Sequence, residues 1–229
     1  MCAVNFLGIE TSSSVCSVGF VNDHGLSVEH SIEDPHIHSE KLLTLTNEVL
    51  KQAKADLESL SAIAISIGPG SFTGLRIGLS TAKGLCYSID RSLIDIPTFD
   101  AIAEAVFAAK SQVAKVLVVV DAKQGEFYCG MIQRRDDGTL SSREVAIQRL
   151  DVIAWPEWTD SGSFCVTDRP HILAEHGIPA ELTGTYNTFC KGDVVARLAA
   201  KKYQKGEFAD LVSIEPLYLK DFVVRKATT

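Results

Sequence analysis

The chain has 229 residues and a mass of 24.8 kDa, with 46 % hydrophobic and 22 % charged residues. That balance excludes disordered, collagenous and low-complexity classes and predicts a packed protein of one large domain or two small ones. The longest aliphatic run, residues 116–120, falls far short of the ~20 residues a bilayer span needs, so no transmembrane helix is expected. The net charge of −7 is uneven: residues 1–109 carry 13 acidic and 6 basic side chains, and the remainder is balanced. An acidic half repels phosphate backbones and suits a basic partner better than a nucleic acid.

In chain order, residues 4–9, 15–21 and 26–32 read as three strands of an antiparallel meander, separated by polar turns. Residues 39–54 set Leu42, Leu43, Leu45, Val49, Leu50 and Ala53 in one broad stripe at helical spacing. A strand at 62–66, a glycine-rich turn, a helix to about residue 87, a strand at 93–96 and a helix at 100–109 follow. This βββαβαβα order mixes an antiparallel start with parallel crossovers. The grammar then restarts. Strands are predicted at 115–120, 127–132 and 143–147, the last two separated by Asp136-Asp137-Gly138, with a helical piece over 150–154 that Pro156 ends. A strand at 164–167, a short helix at 169–176 and a helix at 193–205 complete the pattern. Two such units predict a duplicated architecture without sequence repetition, with a first lobe over 1–109 and a smaller second lobe over 110–229. The sequence leaves open which lobe holds residues 210–229.

The strongest local signal is Ser66-Ile67-Gly68-Pro69-Gly70-Ser71-Phe72-Thr73-Gly74-Leu75-Arg76-Ile77-Gly78-Leu79, a strand, a tight turn and a helix start. Ser71 or Thr73 can cap the helix, and the free N–H groups there can also hold an anion. Known phosphate patterns fail, since Leu75 stands where a P-loop needs Lys and Thr73 where a dinucleotide turn needs Gly. On the helix itself, Leu75, Leu79, Ala82 and Cys86 form a stripe that Gly74, Ile77, Gly78, Gly84 and Leu85 widen, leaving a polar edge of Arg76, Ser80, Lys83 and Tyr87. A helix on one sheet needs a stripe of roughly 100°, so this one has a face to spare. Each internal glycine costs ~1 kcal/mol relative to Ala and needs a reason, such as a close neighbour. Burial between the lobes would supply one. Contact with another protein, shared with the helix at 39–54, would supply another.

His36-Ile37-His38-Ser39-Glu40 would aim three ligand-type side chains one way if extended, but a helix starting at Ser39 breaks that geometry, and no metal site is expected. No G-x-S-x-G elbow and no Ser/His/Asp arrangement is present, so no catalytic residue is assigned. Asp121 is a strand-end acid of the kind that lines α/β clefts. Cys2, Cys16, Cys86, Cys129, Cys165 and Cys190 lie far apart without C-x-x-C spacing and read as free, buried thiols. The first six residues lack a basic and apolar leader, and the expected location is the cytoplasm.

Ile9-Glu10-Thr11 with Cys16-Ser17-Val18, His38-Ser39-Glu40, the glycine-rich block 68–78, Asp121-Ala122-Lys123-Gln124-Gly125-Glu126-Phe127-Tyr128 and Glu215-Pro216-Leu217-Tyr218-Leu219-Lys220 together resemble the bacterial TsaB family. The resemblance runs in order over nearly the whole chain. It implies an α/β, actin/Hsp70-like (ASKHA) fold of two RNase H-like lobes, with mixed sheets and flanking helices. It also implies a non-catalytic subunit in the formation of N6-threonylcarbamoyladenosine beside the anticodon of tRNAs that read codons beginning with A. The expected direct partner is the transferase TsaD, joined by the ATPase TsaE; without TsaD a homodimer is expected, and tRNA is met only through the complex. ATP and a metal belong to the partners, and the chain itself is expected to hold no cofactor. The expected partner-binding residues are Leu42, Leu45, Val49, Leu75, Arg76, Gly78, Leu79, Ala82 and Lys83. Glu10, Ser71, Thr73 and Asp121 are candidate phosphate or nucleotide contacts, although the family's actin-like relatives carry Asp where Glu10 stands. The competing readings are a metal-dependent hydrolase using His36, His38 and Glu40, and a kinase-like or nucleotide-sensing protein using Ser71, Thr73 and Asp121. Lys201, Lys202, Lys205, Lys220, Arg225 and Lys226 are the basic residues from which a direct tRNA contact would come.

Overall fold

The structure, a computed structural model, describes residues 4–34, 36–135, 137–142, 145–153, 155 and 162–219. The meander forms as the alternating apolar pattern requires: β1 (Asn5–Glu10), β2 (Val15–Asn22) and β3 (Ser27–Glu33) pair antiparallel. α1 (His38–Ala53) leads to β4 (Ala62–Ser66), α2 (Phe72–Ile89) to β5 (Ser92–Ile96), and α3 (Thr98–Ala109) closes the first half. β4 lies parallel to β1, and β5 parallel to β4, giving the sheet order β3-β2-β1-β4-β5.

The second half repeats the plan. β6 (Lys115–Asp121), β7 (Phe127–Arg134), β8 (Leu140–Ser142) and β9 (Ala146–Gln148) are antiparallel neighbours, with β8 and β9 both on β7. β10 (Ser163–Thr167) and β11 (Thr183–Thr185) add in parallel beside β6, and the order β11-β10-β6-β7-β8 mirrors the first sheet. This is the expected pair of RNase H-like sheets. The strand predicted over 143–147 is a correction: Ala146–Gln148 supplies the pairing, Leu140–Ser142 adds a separate strand, and residues 143 and 144 lie outside the described residues, as do Asp136 and Pro156. The helical piece at 150 is a single 3-10 turn, Leu150–Val152.

The layers follow from which face each apolar set occupies. α1 and α2 cover the outer face of the first sheet, with Leu42, Leu45, Val49, Leu79, Ala82 and Cys86 against Leu7, Ile9, Phe20, Ile63 and Ile65. Between the sheets lie α3 and α5 (Gly192–Gln204), whose Phe99, Ile102, Val106, Val195 and Ala199 join Ala62, Ala64, Val116 and Val118 in one core. α5 comes from the second half of the chain but packs on the first sheet: a Cβ at Gly8 or Gly19 would collide with the backbone of Gly192 or Asp193, so those positions must be bare for α5 to approach. The second sheet's outer face is covered by α4 (Pro170–Glu175) and Trp155. Residues after α5 return to the first lobe, where Ala209 N–H donates to Leu93 O at 2.9 Å and Leu217 N–H to Ile67 O at 2.8 Å. No described helix is long and apolar enough to cross a membrane.

Candidate functional site

The carboxyl ends of β1, β6 and β10 face each other across a cleft of about 720 Å³. Its walls are the β1–β2 turn (Ser12, Ser13, Ser14), the start of α2 (Ser71, Phe72, Thr73), the β6–β7 turn (Asp121, Lys123) and Asp168-Arg169. Three of the expected nucleotide contacts, Ser71, Thr73 and Asp121, are therefore brought together. Glu10 is not: it is fully buried, its Oε1 accepts the Ser12 N–H at 2.6 Å, and burial raises its carboxyl above the usual range. No described group completes a hydrogen bond to its Oε2.

The cleft's polar groups are largely spent within the chain. Asp121 meets Arg169 Nη2 at 2.6 Å and Lys123 Nζ at 3.2 Å and accepts the Lys123 N–H at 2.7 Å. Burial pushes its carboxyl up, but these three donors outweigh burial and hold it below the usual carboxylate range. Ser71 Oγ accepts the Gly74 N–H at 3.2 Å, so Ser71 is the helix cap, and its own N–H donates to Ser12 O at 2.7 Å. Tyr186, which no sequence pattern pointed to, closes the floor: its hydroxyl lies 3.1 Å from Ser12 Oγ and donates to Pro69 O at 3.5 Å. Asn187 Nδ2 donates to Ser14 Oγ at 2.9 Å and to Glu33 Oε1 at 2.6 Å. Asn187, in a 3-10 turn of the second half, thus ties the β1–β2 turn to the end of β3.

The partner-binding set divides. Leu42, Leu45, Val49, Leu75, Leu79 and Ala82 are all buried in the chain's own core, none more than 6 % exposed, so the stripe first assigned to another protein faces the chain's own sheet. Gly74 and Gly78 also have internal reasons: a Cβ at either would collide with Thr11. Arg76 is exposed and Lys83 half-buried, its Nζ donating to Val212 O at 3.4 Å. What remains outside is a different set. Leu43 on α1 is 57 % exposed, Tyr87 on α2 is 88 % exposed, and Ile77 and Leu85 are half-buried. Gly84 has open space where its Cβ would stand, so no described residue explains its cost.

The metal reading loses its geometry. His38 is buried and its Nε2 lies 3.2 Å from Val15 O, whereas His36 and Glu40 are exposed. Among the described residues no three His, Cys, Asp or Glu side chains cluster as metal ligands would. The five described cysteines are buried, and burial pushes the thiol of Cys16 to about 11 and those of Cys86, Cys129 and Cys165 to about 12. Lys201 and Lys202 pair with Glu104 and Asp95. Lys220, Arg225 and Lys226 lie outside the described residues.

The family model described as TsaD, tRNA N6-adenosine threonylcarbamoyltransferase, matches residues 35–156. A tRNA threonylcarbamoyladenosine biosynthesis protein TsaB from Haemophilus influenzae is 30 % identical, over 97 % of this chain and 96 % of that protein. The TsaB protein of Escherichia coli is 24 % identical over 97 % of both chains. In structure the chain is similar to YeaZ from Pseudomonas aeruginosa, with a TM-score of 0.79, 22 % identity and coverage of 96 % of this chain and all of that one. The structural match carries the fold, and the sequence matches carry the kinship: the chain belongs to the family that this model describes and, within it, to the TsaB proteins.

Proposed function

We propose that this chain is a non-catalytic subunit of the machinery that forms N6-threonylcarbamoyladenosine in tRNA. The biosynthetic role follows from the TsaB kinship. Its silent character is supported by a cleft in which the strand-end acid Asp121 is paired with Arg169 and Lys123 and Asp168 accepts the Asp121 N–H at 3.0 Å. In this reading it binds and supports the transferase TsaD, the ATPase TsaE joins them, and tRNA is reached only through the complex. The observation that carries the reading is what α1 and α2 leave uncovered: Leu43 and Tyr87 are exposed, Ile77 and Leu85 are half-buried, and no described atom lies where a Cβ of Gly84 would stand. A glycine open to solvent in a helix interior is a cost without internal return, and a helix of another chain crossing close at that point supplies the return. In the absence of TsaD the same face pairs with a second copy of itself.

The test is co-purification with the TsaD protein of the same cell. The double variant Leu43→Lys, Tyr87→Lys alters only exposed side chains, so its circular dichroism should match wild type while complex and homodimer are both lost. Retention of the complex by this variant contradicts the assignment.

A further inference from the structure

The segment 208–219 runs back along α2, and its motif Glu215-Pro216-Leu217-Tyr218 has no part in the reading above. Leu217 is anchored through its N–H on Ile67 O at 2.8 Å and packs over Gly68, which fixes where Tyr218 stands. From there the Tyr218 hydroxyl accepts the Nε–H of Arg76 at 2.8 Å. The guanidinium carbon lies 4.0 Å from the centre of the Phe72 ring and 5.6 Å from that of Tyr218, and the two rings are 5.4 Å apart. Arg76 is therefore held from two sides, yet it is exposed, and no described group meets its Nη1 or Nη2. Four N–H donors of a planar fork are left without a described partner on an exposed side chain.

A free arginine on a surface loses several rotatable bonds on binding, and a clamped one has lost them already. The rim is apolar: Phe72 is 37 %, Leu217 39 % and Tyr218 40 % exposed. An Arg among aromatic side chains is the composition of a protein-interface anchor. A polyanion is disfavoured, because residues 1–109 carry more than twice as many acids as bases. A single planar carboxylate matches the fork in shape and charge.

We propose that Arg76, oriented by Phe72 and Tyr218, is the charged anchor of the partner-binding face and takes an Asp or Glu side chain of the partner protein in a bidentate pair. Tyr218 and Phe72 are positioning residues. The proposal rests on the partner reading above and adds to it the chemical group that the partner must present and a role for the returning segment.

The experiment is titration of the purified TsaD partner into full-length wild type and variants, read by calorimetry at two salt concentrations. Arg76→Lys keeps the charge but not the fork, and should weaken binding about tenfold. Tyr218→Phe keeps the ring but not the oriented oxygen; it should weaken binding several-fold, with a flatter salt dependence than wild type as the pair loosens. Unchanged affinity for both variants overturns the proposal. If both keep affinity while Leu43→Lys, Tyr87→Lys abolishes it, the anchor is wrong and the partner face stands; loss in the Arg76 and Tyr218 variants alone supports the anchor and moves the interface off α1. If Arg76→Lys leaves protein affinity intact and lowers only tRNA retention by the assembled complex, the ligand is a phosphate and the proposal fails.

Discussion

The two sheets share one strand order, but their outer covers differ. α4, which covers the second sheet, has six residues and buries Ile172 and Leu173; α1 and α2, which cover the first, have sixteen and eighteen. Beside that short helix, Ile153, Trp155 and Ile178 from loops and turns complete the described cover of the second sheet, so no long helix supplies it. The long pair does that job with Leu42, Leu45, Val49, Leu79 and Ala82 and still presents Leu43, Tyr87 and Gly84 outward. The same contrast recurs within α2. Its inner glycines are bare because Thr11 is there, and its outer glycine is bare although no described residue lies there.

Four substitutions probe that contrast. The largest effect should come from Leu79→Glu, which puts a carboxylate in a core position only 6 % exposed. The loss is roughly 4 kcal/mol or more, enough to leave little folded protein, seen as collapse of the near-ultraviolet circular dichroism signal. A variant that folds normally would place Leu79 on the surface and reverse the assignment of the two faces.

Next comes a matched pair. Gly78→Ala collides with Thr11 Oγ1 and Ile65 and should cost about 2 kcal/mol, whereas Gly84→Ala meets open space and should gain about 0.5–1 kcal/mol of helix stability. Urea denaturation of the two variants gives the signs directly. Equal signs would erase the distinction between inner and outer face.

A smaller effect separates the pH behaviour of the interlobe core from that of the exposed face. Burial pushes the Asp100 carboxyl from 3.8 up to about 6, with Lys202 opposing it. Because the folded form holds the proton more tightly than the unfolded one, stability is full below pH 3.8 and falls as pH rises through about 6. Asp100→Asn should therefore raise stability at pH 7.5, by on the order of 2 kcal/mol, and the gain should vanish below about pH 4. A gain that persists at low pH would mean that the amide improves packing and that ionisation is irrelevant.

Periodicity made the elements legible. The βββαβαβα order, the restart after residue 111 and the apolar stripes of both long helices were all present as residue spacing. Of the four candidate phosphate contacts, Ser71, Thr73 and Asp121 line one cleft, whereas Glu10 is fully buried and holds the Ser12 N–H, which its place at a strand end did not reveal. The spacing could not say which side of α2 faces its own sheet. A wheel more than half apolar has no intrinsic front, and only the approach of Thr11 to Gly74 and Gly78 decides it. Tyr186 was illegible for another reason: it lies in no motif, and its partners Ser12 and Pro69 are more than a hundred residues away. The clamp on Arg76 depends likewise on a return of the chain that no local pattern encodes.

The central claim is that the outer face of α2 is kept bare for another protein and not for this one. Gly84→Gln tests it most directly, by sedimentation of the variant with and without TsaD, alongside its unfolding midpoint. The account predicts a midpoint at or above wild type together with loss of both the TsaD complex and self-association. A variant that still forms the complex at wild-type concentrations would contradict it.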